Sequence, residues 1–194
     1  MKNVSRTTNL TVKIGLLVAV SVLLSFVAFP ILPSFPFLKI DLGDIPALIG
    51  AFAFGPIVGI VIEAIKNVLL LAVKNSGTAG IGEFANFIIG GVYVGIAGLI
   101  YARNKKRKNA VAALVISVVA MVITGILANY YILIPLYSKF MPIDVTKYII
   151  YAVIPFNLIK GILIAVVTIV IYKRVSILIH AESYNNKKTQ TSKL

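Results

Sequence analysis

Residues 110–134 read AVAALVISVVAMVITGILANYYILI, a run of 25 positions without a charged side chain. About 20 mostly apolar residues in a helix are enough to cross the hydrocarbon core of a bilayer. Over all 194 residues, 59% are hydrophobic and 13% are charged, whereas soluble domains average about 45–50% and about 25%. A soluble domain of this size cannot bury so much apolar surface. The composition therefore excludes a soluble enzyme and predicts a polytopic membrane protein.

Five further apolar segments accompany this run. They are residues 14–29, 45–54, 57–73, 84–102 and 148–172. The segment 45–54 is too short to span a bilayer alone, so it must pack within the protein, because unpaired backbone groups are not tolerated facing lipid. Between the first two segments, Pro30, Pro33 and Pro36 stop any helix and predict a long loop.

The segments predict an all-α fold, a bundle of six transmembrane helices. We expect one domain over residues 1–175 and a polar cytoplasmic tail over residues 176–194. Cytoplasmic loops of membrane proteins are enriched in Lys and Arg. With the N-terminus in the cytoplasm, 13 basic residues fall on the cytoplasmic side and 4 on the outer side. Both termini are therefore predicted to be cytoplasmic.

Charge and residue usage exclude several functions. The net charge of +13 arises from 19 Lys and Arg against 6 Asp and Glu, but the basic residues lie between apolar segments, so the expected partner is the lipid bilayer and not nucleic acid. The chain has no cysteine and one histidine, His180, in the tail, which argues against a metal site. Gly77 and Gly82 have the spacing of an ATP-binding loop, but Glu83 follows them instead of lysine. The chain therefore cannot bind ATP by such a loop, and any energy that its function needs must come from elsewhere.

Polar residues recur inside four of the apolar segments. They are Glu63, Lys66 and Asn67; Glu83 and Asn86; Asn129, Tyr130 and Tyr131; Asn157 and Lys160. A charge at the centre of a bilayer costs from ~2.5 kcal/mol upwards, so such groups normally face the bundle interior and have a function. The predicted topology places most of them in the outer half, which indicates a pocket open to the outside and closed below.

Structural roles are the alternative for the same residues. Glu63 and Lys66 are three residues apart and could pair on one helix face. The asparagines could join helices by hydrogen bonds, and Tyr130 and Tyr131 could belong to an interfacial aromatic belt.

Small residues spaced four apart allow helices to approach closely. Gly55 with Gly59, and Gly91 with Gly95, favour packing within the bundle. The pair Gly15 and Ala19 on the first helix could equally face another protein.

Six short runs carry a family resemblance. They are LKIDLGDIP (38–46), FGP (54–56), KN (66–67), EFANF (83–87), NYYILIPLY (129–137) and PFNLIKG (155–161). Together they resemble the substrate-binding (S) components of energy-coupling factor (ECF) transporters, in particular the riboflavin-specific ones. The NYY and PFNxxKG runs carry the resemblance to the riboflavin-specific members.

The resemblance implies a riboflavin-binding subunit of a vitamin importer in the bacterial cell membrane, with six helices and a vitamin site near the outer face. It implies two kinds of partner, a transmembrane coupling protein and two cytoplasmic ATPases, so the chain itself is not expected to be an enzyme. Riboflavin is then the transported substrate, and no cofactor is expected. Family members often carry Ala-xxx-Ala on the first helix for docking to the coupling protein, where this chain has Gly15 and Ala19.

The resemblance also assigns roles to the site residues. Carboxamides present a donor beside an acceptor, which matches the pyrimidine edge of the flavin ring. The edge residues are expected to be Asn129, Asn157 and Lys160. Candidates for the ribityl hydroxyls, or for holding the first loop, are Asp41, Asp44, Glu83 and Asn86. Weaker candidates on the inner rim are Lys66 and Asn67, and candidate walls for the ring are Leu38, Ile40 and Tyr131.

Two alternatives to riboflavin uptake remain open from the sequence. One is an S component for another vitamin, such as thiamin or pantothenate. The other is a membrane scaffold subunit whose polar residues only brace helices.

Overall fold

The structure is a computed structural model that describes residues 6–74, 80–137 and 144–171. The predicted tail, residues 176–194, lies outside the described residues. The described part of the chain forms a bundle of six helices and a small two-stranded sheet. The all-α membrane bundle predicted from the sequence is therefore confirmed, with the sheet as an addition to it.

The first four helices are α1 (Arg6–Phe26), α2 (Asp44–Phe54), α3 (Pro56–Val73) and α4 (Ile81–Arg103). Helix α2 is apolar but too short to span, as the sequence predicts. It packs against α1, α3 and α4, and most of its residues are buried.

The last two helices each contain a π-helical turn. Helix α5 comprises Arg107–Ala128, the π turn Asn129–Leu133 and Ile134–Tyr137. Helix α6 spans Val145–Ile171 and includes the π turn Ile149–Val153.

Each π turn ends two residues before a proline, Pro135 in α5 and Pro155 in α6. A proline ring clashes with the carbonyl four residues earlier in a regular α-helix, and a wider turn accommodates that clash. Both π turns lie against each other in the structure.

Several predicted boundaries are wrong by a few residues. The loop predicted over 135–147 is shorter, because α5 continues to Tyr137 and α6 begins at Val145; residues 138–143 lie outside the described part.

Asp144 caps α6 by accepting the backbone N–H of Lys147 at 3.1 Å. This hydrogen bond lowers the pKa of Asp144.

The proline-rich loop contains a sheet that was not predicted. Strand β1 (Ala28–Pro30) pairs antiparallel with β2 (Lys39–Asp41), and Phe29 lies opposite Ile40. The first helix was predicted to run to residue 29, but it ends at Phe26. A residue that precedes proline is driven out of the α region into extended backbone, which explains why Phe29 pairs as a strand before Pro30.

A separate hydrophobic cluster fastens the connection between the two strands. Tyr148, from α6, is 2% exposed and packs with Phe35 and Phe37 of that connection. The rings of Phe35 and Tyr148 meet edge to face at 5.3 Å. The strand connection is thereby held on the ends of α5 and α6.

In each of the two small-residue pairs, one glycine lies against a neighbouring helix and the other does not. A Cβ on Gly59 would lie 2.6 Å from the Cβ of Ala51, and one on Gly95 would lie 3.0 Å from Ile60, so these two glycines do permit close helix packing. Gly55 and Gly91 do not, because a Cβ there would meet no neighbouring helix. Gly55 instead has φ +107°, which suits glycine at the turn between α2 and α3.

Candidate binding site

A cavity of about 150 Å³ lies between the strand pair and helices α3 to α6. Its wall includes the exposed Lys39 of β2, so the cavity reaches the surface at the strand pair. Seven of the predicted site residues line it: Asn129, Asn157, Lys160, Asp41, Glu83, Asn86 and Leu38. They come from β2, the segment before it, α4, α5 and α6, and the structure brings them together at one place.

The two asparagines are fixed by their own helices. Asn129 donates one amide N–H to the carbonyl of Gly125 at 2.7 Å, and Asn157 donates one to the carbonyl of Val153 at 2.8 Å. Both side chains are buried. These bonds orient each amide, and among the contacts of the described residues the side-chain oxygen and the second N–H of each remain for a ligand.

Gly125 lets Asn157 reach α5. A Cβ at position 125 would lie 2.7 Å from Nδ2 of Asn157, which is closer than real Cβ contacts. Only glycine therefore allows the amide of Asn157 to lie against α5, one turn before Asn129.

Lys160 reaches three elements from α6. Its Nζ lies 3.4 Å from Oδ2 of Asp41, 3.2 Å from Oδ2 of Asp44 and 3.4 Å from Oδ1 of Asn86. The side chain is 2% exposed. A lysine ammonium has three donors and no acceptor, so Lys160 supplies a positive charge to the cavity.

Two carboxylates give the wall its negative charge. Asp41 is held by the backbone N–H of Gly43 at 2.8 Å and by the hydroxyl of Ser25, which donates at 3.3 Å. Glu83 is buried, and within the described part of the chain its Oε2 has no hydrogen-bond partner. A buried carboxylate oxygen without a donor is costly, so Glu83 is an acceptor suited to a ligand hydroxyl.

The other five predicted residues lie outside the cavity wall. Lys66 pairs with Glu63 at 2.7 Å and with Asp44 at 2.5 Å, which is the pairing that the spacing of Glu63 and Lys66 indicated. Asn67 donates to Oε2 of Glu63 at 3.2 Å. These buried side chains form a layer behind Lys160, between α2 and α3.

Ile40 and Tyr131 are also absent from the wall. Ile40 is 1% exposed and does not line the cavity, whereas Tyr131 is 70% exposed. Tyr131 lies within the π turn of α5 and points outward, beside Tyr130, whose ring it meets at 4.9 Å.

Several residues of the cavity wall were not predicted from the sequence. They are Ser25, Phe37, Lys74, Met121, Tyr148 and Phe156, among others. A signal existed for Met121, because it lies one and two turns before Gly125 and Asn129 on the same helix face. No periodic signal existed for Phe37, which lies in the proline-rich connection.

Lys74 joins the ends of two helices at the cavity. Its Nζ donates to the carbonyl of Ser25 at 2.5 Å and lies 5.7 Å from the ring centre of Phe26. Lysine near the C-terminal carbonyls of a helix is favourable, so Lys74 ties the end of α1 to the end of α3.

A family model described as "ECF transporter, substrate-specific component" matches residues 9–172. The chain belongs to this family. An ECF transporter substrate-specific component is a membrane protein of a transport system, in agreement with the five helices of the described residues that are long and apolar enough to cross a bilayer.

The relatives of this ECF component include transporters with a named substrate. The chain is 34% identical to "Riboflavin transporter RibU" of Staphylococcus aureus over 170 residues, covering 85% of this chain and 89% of the relative. It is 34% identical to "Riboflavin transporter FmnP" of Bacillus subtilis over 174 residues, covering 82% and 91%. A solved S component of a bacterial ECF transporter superposes with a TM-score of 0.79 at 33% identity, covering 89% of this chain and 98% of that one.

Proposed function

We propose that this chain binds riboflavin in the cavity described above and mediates riboflavin uptake with an ATP-hydrolysing energy-coupling module. Its partners are a transmembrane coupling protein and two cytoplasmic ATPases, and ATP hydrolysis resides in the latter. The chain is a binding subunit and not an enzyme, and riboflavin is its transported substrate and not a cofactor. It lies in the bacterial cell membrane with both termini in the cytoplasm. The names of its relatives support this substrate.

The observation that carries the proposal is the meeting of Asn129, Asn157 and Lys160 in one cavity wall. The pyrimidine edge of riboflavin alternates carbonyl acceptors with an N–H donor. An asparagine oxygen accepts from that N–H, and the Lys160 ammonium donates to a ring carbonyl. Buried groups of this kind select a ligand that satisfies them, because an unpaired polar group in the complex costs free energy.

The rest of the wall suits the other parts of the vitamin. Glu83 and Asp41 are acceptors for the ribityl hydroxyls. Apolar side chains of the wall, such as Phe37, Tyr148 and Phe156, bury the faces of the ring, as in most small-molecule sites.

Docking to the coupling protein is assigned to Gly15 and Ala19 on α1. Both are exposed, and a Cβ on Gly15 would have no neighbour within 4 Å among the described residues. Their small side chains leave a shallow strip where a partner helix can approach.

The direct test is a titration of the purified protein with riboflavin, followed by quenching of the flavin fluorescence. We expect saturable quenching and a yellow colour in preparations that retain the ligand. Absence of quenching together with tight binding of thiamin or pantothenate contradicts the proposal in favour of another vitamin.

Alanine at Asn157 and at Lys160 separates a binding site from a scaffold. We expect each variant to fold and to bind riboflavin at least about tenfold more weakly, as loss of one buried hydrogen bond predicts. If binding falls only in step with the thermal stability of the protein, the polar residues are structural and the site assignment is wrong.

A further inference from the structure

The two buried lysines of the bundle have different surroundings. Lys66 and Lys160 are each 2% exposed. The Nζ of Lys66 lies 2.5 Å from Asp44 and 2.7 Å from Glu63, and strong charge-assisted hydrogen bonds have lengths of about 2.7–2.9 Å. The hydrogen-bond acceptors of Lys160, Asp41 and Asn86, both lie at 3.4 Å, and Oδ2 of Asp44 lies 3.2 Å away without a hydrogen bond among the described residues. Lys66 is therefore fully engaged within the protein, whereas Lys160 retains donor capacity toward the cavity that it lines.

Asp44 connects the two lysines. Its Oδ1 accepts from Lys66, whereas its Oδ2 lies 3.2 Å from Lys160 and receives no hydrogen bond from the described residues. A carboxylate that already binds one cation tightly attracts a second cation less strongly. The buried groups Asp41, Asp44, Glu63, Lys66 and Lys160 comprise three carboxylates and two ammonium groups, and pairing of opposite charges lowers the cost of burying them.

We propose that Asp44 and the Glu63–Lys66 pair are positioning residues for ligand binding. By engaging Asp44, Lys66 keeps Lys160 from closing onto that carboxylate, and the ammonium of Lys160 stays directed at a carbonyl of the bound ligand. This inference rests on the proposed function, and it gives a ligand-binding role to residues that do not line the cavity.

The layer behind Lys160 is itself held in place. Asn67 donates to Oε2 of Glu63 at 3.2 Å and to the backbone carbonyl of Glu63 at 2.8 Å. Gly90 of α4 leaves room for the carboxylate, because a Cβ there would lie 3.0 Å from Oε2 of Glu63. Glu63 is thus held by Asn67 of its own helix, in space that Gly90 leaves, and it holds Lys66 in turn.

The remaining acceptors of Lys160 do not depend on this layer. Asp41 is held by Gly43 and Ser25, and Asn86 stands on α4. A change in the Glu63–Lys66 pair therefore reaches Lys160 through Asp44.

The test replaces the pair by apolar residues of similar size, Glu63→Leu with Lys66→Met, which leaves the total charge unchanged. Asp44 then has Lys160 as its counter-ion, and we expect Lys160 to move toward the usual pairing distance and away from the ligand. Riboflavin should bind about tenfold more weakly, the scale of a weakened hydrogen bond from a charged donor. The carbonyl stretching frequency of the bound flavin should shift toward its value in a Lys160→Met protein.

The control is the other carboxylate–lysine pair with the same spacing, Asp144 and Lys147, which is exposed and has its charged atoms 3.3 Å apart. The double change Asp144→Asn with Lys147→Gln should alter neither affinity nor carbonyl frequency.

A double-mutant cycle distinguishes positioning from support of the fold. In a Lys160→Met background, Glu63→Leu with Lys66→Met should cause no further loss of affinity. An equal loss in both backgrounds, or unaltered binding and frequency in the Lys160 protein, overturns the inference. Failure of the unmodified chain to bind riboflavin contradicts the proposed function instead.

A milder variant keeps the inference testable if the double variant does not fold. Asn67→Ala removes the hydrogen bond to Glu63 without altering a charge. We expect affinity to fall about threefold and the carbonyl frequency to shift in the same direction. Affinity and frequency equal to those of the unmodified protein overturn the inference.

Discussion

Gly125 offers a way to disturb the site without removing a polar atom. An alanine Cβ at this position would lie 2.7 Å from Nδ2 of Asn157 and 3.0 Å from its Cγ. The amide must move about 0.7 Å to reach ordinary contact near 3.4 Å. The carbonyl of residue 125, to which Asn129 donates, is unaffected by the change. Gly125→Ala therefore displaces one asparagine of the proposed ring edge and leaves the other in place.

The expected effects on affinity and on stability differ. Displacing the Asn157 amide weakens one hydrogen bond to a buried ligand group, which is worth about 1–2 kcal/mol or about 5- to 30-fold in Kd. Alanine in a helix is favoured over glycine by about 0.5–1 kcal/mol, whereas crowding costs about 1–3 kcal/mol. The difference between the two terms predicts that the free energy of unfolding falls by no more than about 2.5 kcal/mol.

The assay is a fluorescence titration with riboflavin beside a thermal unfolding curve of the same preparation. The matched control is Gly91→Ala, since a Cβ at that position would meet only Phe87 of the same helix, at 3.9 Å. Gly91→Ala should leave Kd unchanged. In an Asn157→Ala background, Gly125→Ala should have no further effect on Kd. A folded Gly125→Ala protein with the Kd of the unmodified chain would refute the placement of Asn157 at the ligand.

Three shorter predictions test other parts of the molecule. Tyr131→Ala should leave Kd unchanged in the same titration, because the side chain is 70% exposed and outside the cavity. Phe37→Ala loosens the strand connection from Tyr148, so stopped-flow fluorescence should show ligand dissociation about tenfold faster with little change in association. Because the chain has no cysteine, an impermeant maleimide applied to intact cells should label Lys39→Cys and not Lys106→Cys; the reverse result contradicts cytoplasmic termini.

The meeting of the polar side chains in one site was predictable, because the depth of each residue in the membrane can be counted from the ends of its helix in the sequence. Asn157 and Lys160 lie three residues apart and therefore share a helix face. Asn129 and Glu83 fall at a similar depth once the helices are laid out in alternate directions. A polar residue within an apolar helix normally faces other helices, so side chains at one depth in neighbouring helices meet.

Rotation about the helix axis was not predictable in the same way. Tyr131 was expected in the wall, but the π turn of α5 alters the angle between successive residues there. The π turn precedes Pro135, and this proline is a feature of the sequence from which an irregular turn could have been predicted. Lys66 was expected on the inner rim, but it faces Asp44 because the short helix α2 begins beside α3, and nothing in the local pattern of α3 indicates where α2 begins.

Lys66 and Lys160 nevertheless differ in the acidic residues that lie near them in the sequence, and this difference explains their roles. Lys66 has a carboxylate three residues before it, and that carboxylate supplies a partner on its own helix. Lys160 has no acidic residue within four positions on either side, so its acceptors must come from other elements, here β2, α2 and α4. These polar atoms lie 3.2–3.4 Å from the Lys160 ammonium, whereas Lys66 engages Asp44 at 2.5 Å. Lys160, which has no local acid, therefore keeps donor capacity for a ligand, while Lys66, which has one, holds Asp44 and so positions Lys160.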